Sequence, residues 1–191
     1  MAPRVALLLA AAALLAAAGG AQAQLPAPAA GAATAAATSS AKYICTDPDL
    51  ATLCKILRAG GRGQGATRLS SPTATDTIFA PVDGAFFKDS KKVADELEIK
   101  SFDAIFKDPK AADRLLQNLI IPNKAFTLAG WRSGDYKSLL GQELELSSAL
   151  LTKDKYVKSE EIKATITEPD IPAGRSVIFK VNRVPVPDDF L

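Results

Sequence analysis

Residues 77–86 read TIFAPVDGAF. Thr77-Ile78-Phe79-Ala80 is rich in β-branched and aromatic side chains, a strand composition. Pro81 cannot donate to a sheet ladder and ends it. Asp83 can then accept hydrogen bonds from the orphan N–H groups of a starting helix turn, and that turn carries Phe86 inward. A buried strand running directly into a helix is therefore the seed of the fold. A second stretch, Leu115–Pro122 (LLQNLIIP), makes the opposite passage. Asp108 caps a helix that Pro109 opens, and Ala112, Leu115, Leu116 and Leu119 fall on one face. Ile120 and Ile121 continue as a strand until Pro122.

The flanking sequence fills in the rest. Asp47 and Pro48 begin a helix whose Leu50, Leu53, Cys54 and Leu57 follow the i, i+3, i+4, i+7 spacing of a buried face, and Gly60-Gly61 ends it. A Gly- and Ser-rich loop is expected from there to about Thr75. Weaker helices are expected over Ser90–Leu97 and Ser101–Lys107. Beyond Pro122 the period becomes two. Leu144 and Leu146 alternate with Glu143 and Glu145, and Ile162, Ala164 and Ile166 with Lys163 and Thr165. Val177, Phe179 and Val181 alternate with Ile178, Lys180 and Asn182, giving a strand with two partly apolar faces. Helices first and strands later indicate an α+β domain with mainly antiparallel sheet.

These segments, in this order, resemble the fasciclin domain family. Residues 77–86 are similar to its first signature, a Thr-x-Phe-Ala-Pro strand leading into a helix with Ala-Phe. Residues 115–122 are similar to its central signature, and Ile166–Pro187 (ITEPDIPAGRSVIFKVNRVPVP) to its closing segment. The resemblance spans nearly all of Asp49–Pro187. It implies a wedge-shaped β-sandwich with helices packed on one side, and an extracellular adhesion or matrix role without catalysis. The chain departs from the family at Asn118-Leu119, where many members carry a Tyr-His pair associated with receptor binding. Its Ala/Pro/Thr tract resembles the spacers of plant and algal fasciclin-like proteins. Some algal members bind carotenoids, so a carrier of an apolar small ligand is the alternative function.

The chain has 191 residues, and its alanines are unevenly spread: 20 lie in residues 1–41 and 15 in the remaining 150. Met1–Ala23 reads as a secretory signal peptide, with Arg4, an apolar run from Val5 to Ala18, and the small-x-small site Ala21-Gln22-Ala23. Residues 24–41 form an uncharged Ala/Pro/Thr/Ser stretch too poor in large apolar groups to offset chain entropy, read as a flexible spacer. Residues 42–191 form one domain. Removing the leader takes away Arg4, so the balance is 22 − 21 = +1. A charge so small gives no general electrostatic case for nucleic acid. No other run approaches a transmembrane length. With no histidine in the chain, Ser/His/Asp and Cys/His catalysis are excluded, and two cysteines cannot make a four-thiolate zinc site. No catalytic residue, metal ligand or cofactor is expected.

Cys45 and Cys54 are the only thiols, and an even count in an oxidising compartment favours a disulfide. The alternative is a buried thiol at Cys54. Gly61-Arg62-Gly63-Gln64-Gly65-Ala66 matches a dinucleotide fingerprint, but a helix precedes it where a strand is required. Lys55, Arg58, Arg62 and Arg68 form a basic stretch with no acid between Asp49 and Asp76. Such a stretch is either a solvated surface or a contact for acidic polysaccharide of the cell surface or wall. Glu160-Glu161 and Asp188-Asp189 are adjacent pairs, read as solvated charge. Asn118, Leu119 and Arg62 are the candidate adhesion surface. Phe126, Trp131 and Tyr136 are core packing or, under the carrier alternative, the walls of an apolar groove.

Overall fold

The computed structural model describes residues 38–149, 154–159 and 162–187. The leader, the spacer as far as residue 37, and the pairs Glu160-Glu161 and Asp188-Asp189 lie outside the described residues. Six strands surround the seed strand in one seven-stranded sheet of order β2-β1-β7-β6-β5-β4-β3. These are β1 (Thr77–Pro81), β2 (Ile120–Ile121), β3 (Gly134–Lys137), β4 (Glu143–Ser148), β5 (Lys155–Ser159), β6 (Ile162–Ala173) and β7 (Ser176–Val181). The sheet is mixed. β1 runs antiparallel to β2 and parallel to β7, with Phe79 opposite Phe179, and all other pairs are antiparallel. The sheet is thus mainly antiparallel, as expected, with one parallel pair at its most buried place. A parallel partner arrives by a long crossover, and here the helices Asp83–Glu96 and Pro109–Asn118 and strands β2 to β6 all lie between the two strands in sequence.

β6 is the strand on which the architecture turns. Its first residues pair with β5, and from Ile166 onward it pairs with β7. Register shifts between Ile166 and Glu168 and between Glu168 and Ile171 bend it at the changeover, as bulges do. One ladder thus becomes two leaves. Phe79, Phe179 and Val181 from one leaf meet Leu144, Leu146, Val157 and Ala164 from the other in a buried cluster. The opposite face of β1 and β7, with Ile78, Ala80 and Ile178, joins the helices in a second, larger core. The two apolar faces of β7 read from the sequence are these two cores.

The helices are α1 (Ser40–Thr46), α2 (Ala51–Gly60, entered by a 3-10 turn at Pro48–Leu50), α3 (Gln64–Ser70), α4 (Asp83–Glu96) and α5 (Pro109–Asn118). Asp108 caps α5 by accepting from the N–H groups of Lys110 and Ala111, as expected. Four expectations need correction. α1 begins at Ser40 under a Ser39 cap, so a helix starts inside the stretch read as spacer. The loop expected up to Thr75 contains α3. The weak helix at Ser90–Leu97 is the second half of a single 14-residue helix that starts at Asp83. The expected helix at Ser101–Lys107 is a 3-10 segment, Phe102–Lys107.

Candidate functional site

The glycine turn resolves first. The N–H groups of Gln64, Gly65 and Ala66 all donate to the carboxylate of Asp113 on α5, at 2.9, 2.9 and 3.2 Å. Gln117 Nε2 donates to the same carboxylate at 2.7 Å. Backbone donors of a type that cradles a phosphate in nucleotide sites here hold the chain's own buried carboxylate. The glycines permit the approach: a Cβ at Gly63 would lie 2.1 Å from Asp113 Cγ, and one at Gly65 2.9 Å from Gln117 N.

Around this turn lies a cationic surface. Lys55 and Arg58 sit on the exposed face of α2, and Arg62 is exposed just beyond it. Arg62 borders an open groove of about 430 Å³ together with Lys110 and Arg114 of α5, two cations from a distant part of the sequence. Asp113, the acid in that groove, is already engaged as described. Arg62 is thus placed as a surface residue. Asn118 and Leu119 are not: both are buried, and Asn118 Nδ2 donates to the Pro185 carbonyl at 3.1 Å. They stand at the far end of α5 from Lys110, about 12 Å along its axis by helical rise. Their position corrects the expected adhesion surface, because the C-terminal return through Pro185 covers the end of the helix.

Arg68 is not part of the basic surface either. Its Nε and Nη2 bind Asp76 at 2.9 and 2.7 Å, and Nη2 also reaches Asn123 Oδ1 at 2.7 Å. Asp76 is buried and accepts from the Asn123 N–H as well. Its hydrogen bonds to Arg68 raise the guanidinium's pKa further above its ordinary value. Arg68 and Asn123 border an open pocket of about 800 Å³, whose other walls include Gln64, Thr67 and Thr73. Asp76, Asn123 and Lys110 went unnoticed in the sequence because only the tertiary fold brings them beside α3.

The remaining buried charges are structural. Lys180, on the helix side of β7, lies 2.7 Å from Asp47 and 2.9 Å from Glu168. Burial opposes its charge, but the hydrogen bonds to Asp47 and Glu168 prevail and raise its pKa. Asp47 is lowered: burial works against its ionisation, and donors from Lys180, the Asp49 N–H and Tyr43 overcome it. Tyr43 is pushed up to about 12 by burial and by its hydrogen bond to that carboxylate. Asp89, also buried, is gripped by Arg183 Nε at 2.7 and 2.9 Å and by the Val184 N–H at 2.8 Å. These acids and bases are paired with one another. Among the described residues no cluster of three or more acidic or thiol groups is arranged to hold a metal ion.

The aromatic trio is brought together, but as packing. Trp131 is buried with its ring 6.5 Å from Phe79 and 5.6 Å from Phe179, both edge-on. Phe126 and Tyr136 stack edge-to-face at 5.0 Å over the same cluster. Trp131 is therefore interior to the sandwich and does not stand as an open groove wall, because the two phenylalanines of the parallel pair seat its ring. Cys45 and Cys54 are joined in a disulfide.

The comparisons with known proteins agree with this architecture. The family profile of the fasciclin domain matches residues 48–187. The chain belongs to the fasciclin domain family. A solved structure with the same fold is a domain pair from the insect cell adhesion molecule Fasciclin I, at 12% identity and a TM-score of 0.61. The match covers 78% of this chain and 50% of that one, so the fasciclin domain here spans half of the pair. No curated protein matches the sequence. Fasciclin domains are generally extracellular, non-enzymatic and associated with adhesion. No helix among the described residues is long and apolar enough to cross a membrane.

Proposed function

We propose that this chain is a secreted adhesion domain that contacts acidic polysaccharide of the extracellular matrix or cell wall. The observation that carries the reading is the surface formed by Lys55, Arg58, Arg62 and Lys110, four exposed cations whose side chains have no acidic partner among the described residues. Exposed cations without acidic partners, two of them bordering one groove, create a local positive field on a molecule with almost no net charge, and such a field attracts polyanions. Fasciclin-family membership and the disulfide support an extracellular setting. The insect relative is a cell adhesion molecule, which fits the same class of role. The packing of Trp131 between Phe79 and Phe179 gives the pigment-carrier reading no support of its own.

Co-sedimentation of the secreted protein with de-esterified pectin and with a neutral glucan tests the proposal. Binding to pectin that weakens with added salt, and weakens further in Arg62→Glu/Lys110→Glu, is the expected result. Equal retention by both polymers, or by neither, overturns it.

A further inference from the structure

The pocket beside α3 has the chemistry of a sugar site. Its walls carry hydroxyls from Thr67 and Thr73, amides from Gln64 and Asn123, and the guanidinium of Arg68. Hydroxyls and planar amides both donate and accept, which suits the mixed hydroxyl edges of a pyranose. Arg68 is held rigidly: two of its nitrogens are fixed on Asp76 and Asn123, and Asp76 is itself buried. The third, Nη1, makes no hydrogen bond among the described residues. A guanidinium held through Nε and Nη2 presents Nη1 without a further entropy cost, a fixed charged donor for a carboxylate oxygen.

The pocket and the cationic groove are neighbours. Gln64 borders the first and Gly63 the second, so the two flank the start of α3. A cavity of about 800 Å³ lies within the ordinary range for a small-molecule site.

We infer that this pocket seats one uronic-acid residue of an acidic polysaccharide, its carboxylate on Arg68 Nη1 and its hydroxyls on Thr67, Thr73, Gln64 and Asn123. The inference rests on the proposed polysaccharide role and locates its specific subsite. The cations around Arg62 and Lys110 supply general attraction along the polymer, and the pocket selects the acidic sugar.

The test uses the secreted protein and two soluble probes, trigalacturonate and the same trimer with its carboxyls reduced to alcohols. NMR titration should show trigalacturonate shifting the Arg68 Nε–H and the Thr67 and Asn123 amides, with saturation. The reduced trimer should bind about tenfold more weakly, as loss of a charge-assisted hydrogen bond implies. Thr73→Trp, at an exposed position, should fill the pocket and abolish the shifts, and Gln64→Ala should weaken binding without changing the melting temperature. Arg62→Glu/Lys110→Glu should spare trimer binding while weakening pectin retention. Shifts confined to other residues, an equal response to the reduced trimer, or undiminished binding by folded Thr73→Trp and Gln64→Ala would each overturn the subsite. If pectin is still retained in a salt-dependent way, the adhesion reading survives that failure. If neither trimer nor polymer binds, both fall.

Discussion

Gly63 shows how one side chain's absence can be structural without any unusual backbone. Its φ of −60° is open to every residue, so conformational freedom does not explain it. Space does: a Cβ there would overlap the Asp113 carboxylate at 2.1 Å. Gly63→Ala should therefore expel that carboxylate from three backbone donors and cost about 3 kcal/mol, the loss of charged hydrogen bonds in a buried place. Gly84→Ala, in α4 with nothing within 4 Å of the added atom, should be neutral or stabilise by up to about 1 kcal/mol. Urea denaturation of both variants checks the contrast. The Tyr43, Asp47 and Lys180 cluster makes a second prediction, with signs set by the shifts. Asp47 is lowered below its ordinary 3.8, so its contribution to stability is present above that value and fades as pH falls through the folded value. Tyr43 is raised from 10.0 to about 12, so its contribution is present below 10 and fades as pH rises towards 12. Asp47→Asn should flatten the acid limb of a stability-against-pH curve. Tyr43→Phe should remove the last component of the alkaline absorbance titration of tyrosinate.

The disulfide acts on the pairing of α1 with α2. Cys45 lies near the end of α1 and Cys54 in α2, at a sequence separation of 9. Closing so short a loop removes about 2.5–3 kcal/mol of unfolded-state entropy in the chain-entropy account. Cys45→Ser/Cys54→Ala should lose stability on that order, and calorimetry with and without reductant on the native chain should show the same change. That bridge could be read from a thiol count and a compartment. Other elements could be read because one face of each is buried: α5 declares itself by its cap, its proline and its Leu spacing, and β7 by its alternation. Those without such a face were missed. β3 (GDYK) is mostly exposed at the sheet's edge, and β5 (KYVKS) carries one large buried apolar residue, Val157. α3 was hidden because Gly63 and Gly65 look like loop residues until Asp113 arrives from another helix to satisfy their turn. The basic stretch was visible, but its true membership was not: Arg68 leaves it for Asp76, and Lys110 joins it through the packing of α5. Asn118 is expected on the adhesion surface from its position at the family's Tyr-His pair, and the returning chain at Pro185 instead buries it.

β6 ties the two leaves together, and this governs how the domain should come apart. A sandwich of two independent sheets could lose one leaf before the other. Here a single 12-residue strand is a member of both, paired with β5 at one end and β7 at the other. The cores are coupled in the same way, since β1 and β7 contribute Phe79 and Phe179 to the cluster between the leaves and Ile78 and Ile178 to the helix side. Neither face of that parallel pair can be exposed without disturbing the other. Trp131, the single tryptophan, reports on the cluster between the leaves, whereas far-UV circular dichroism at 222 nm reports chiefly on the helices across β1 and β7. The two signals should therefore follow one denaturation curve with the same midpoint, the behaviour of a single cooperative unit. Phe179→Ala should shift both midpoints together by an amount equivalent to about 3–5 kcal/mol, since it opens a cavity where the tryptophan and Phe79 rings meet. A fluorescence midpoint that moves while the helical signal stays in place would show that the leaves unfold separately and that β6 does not bind them into one structure.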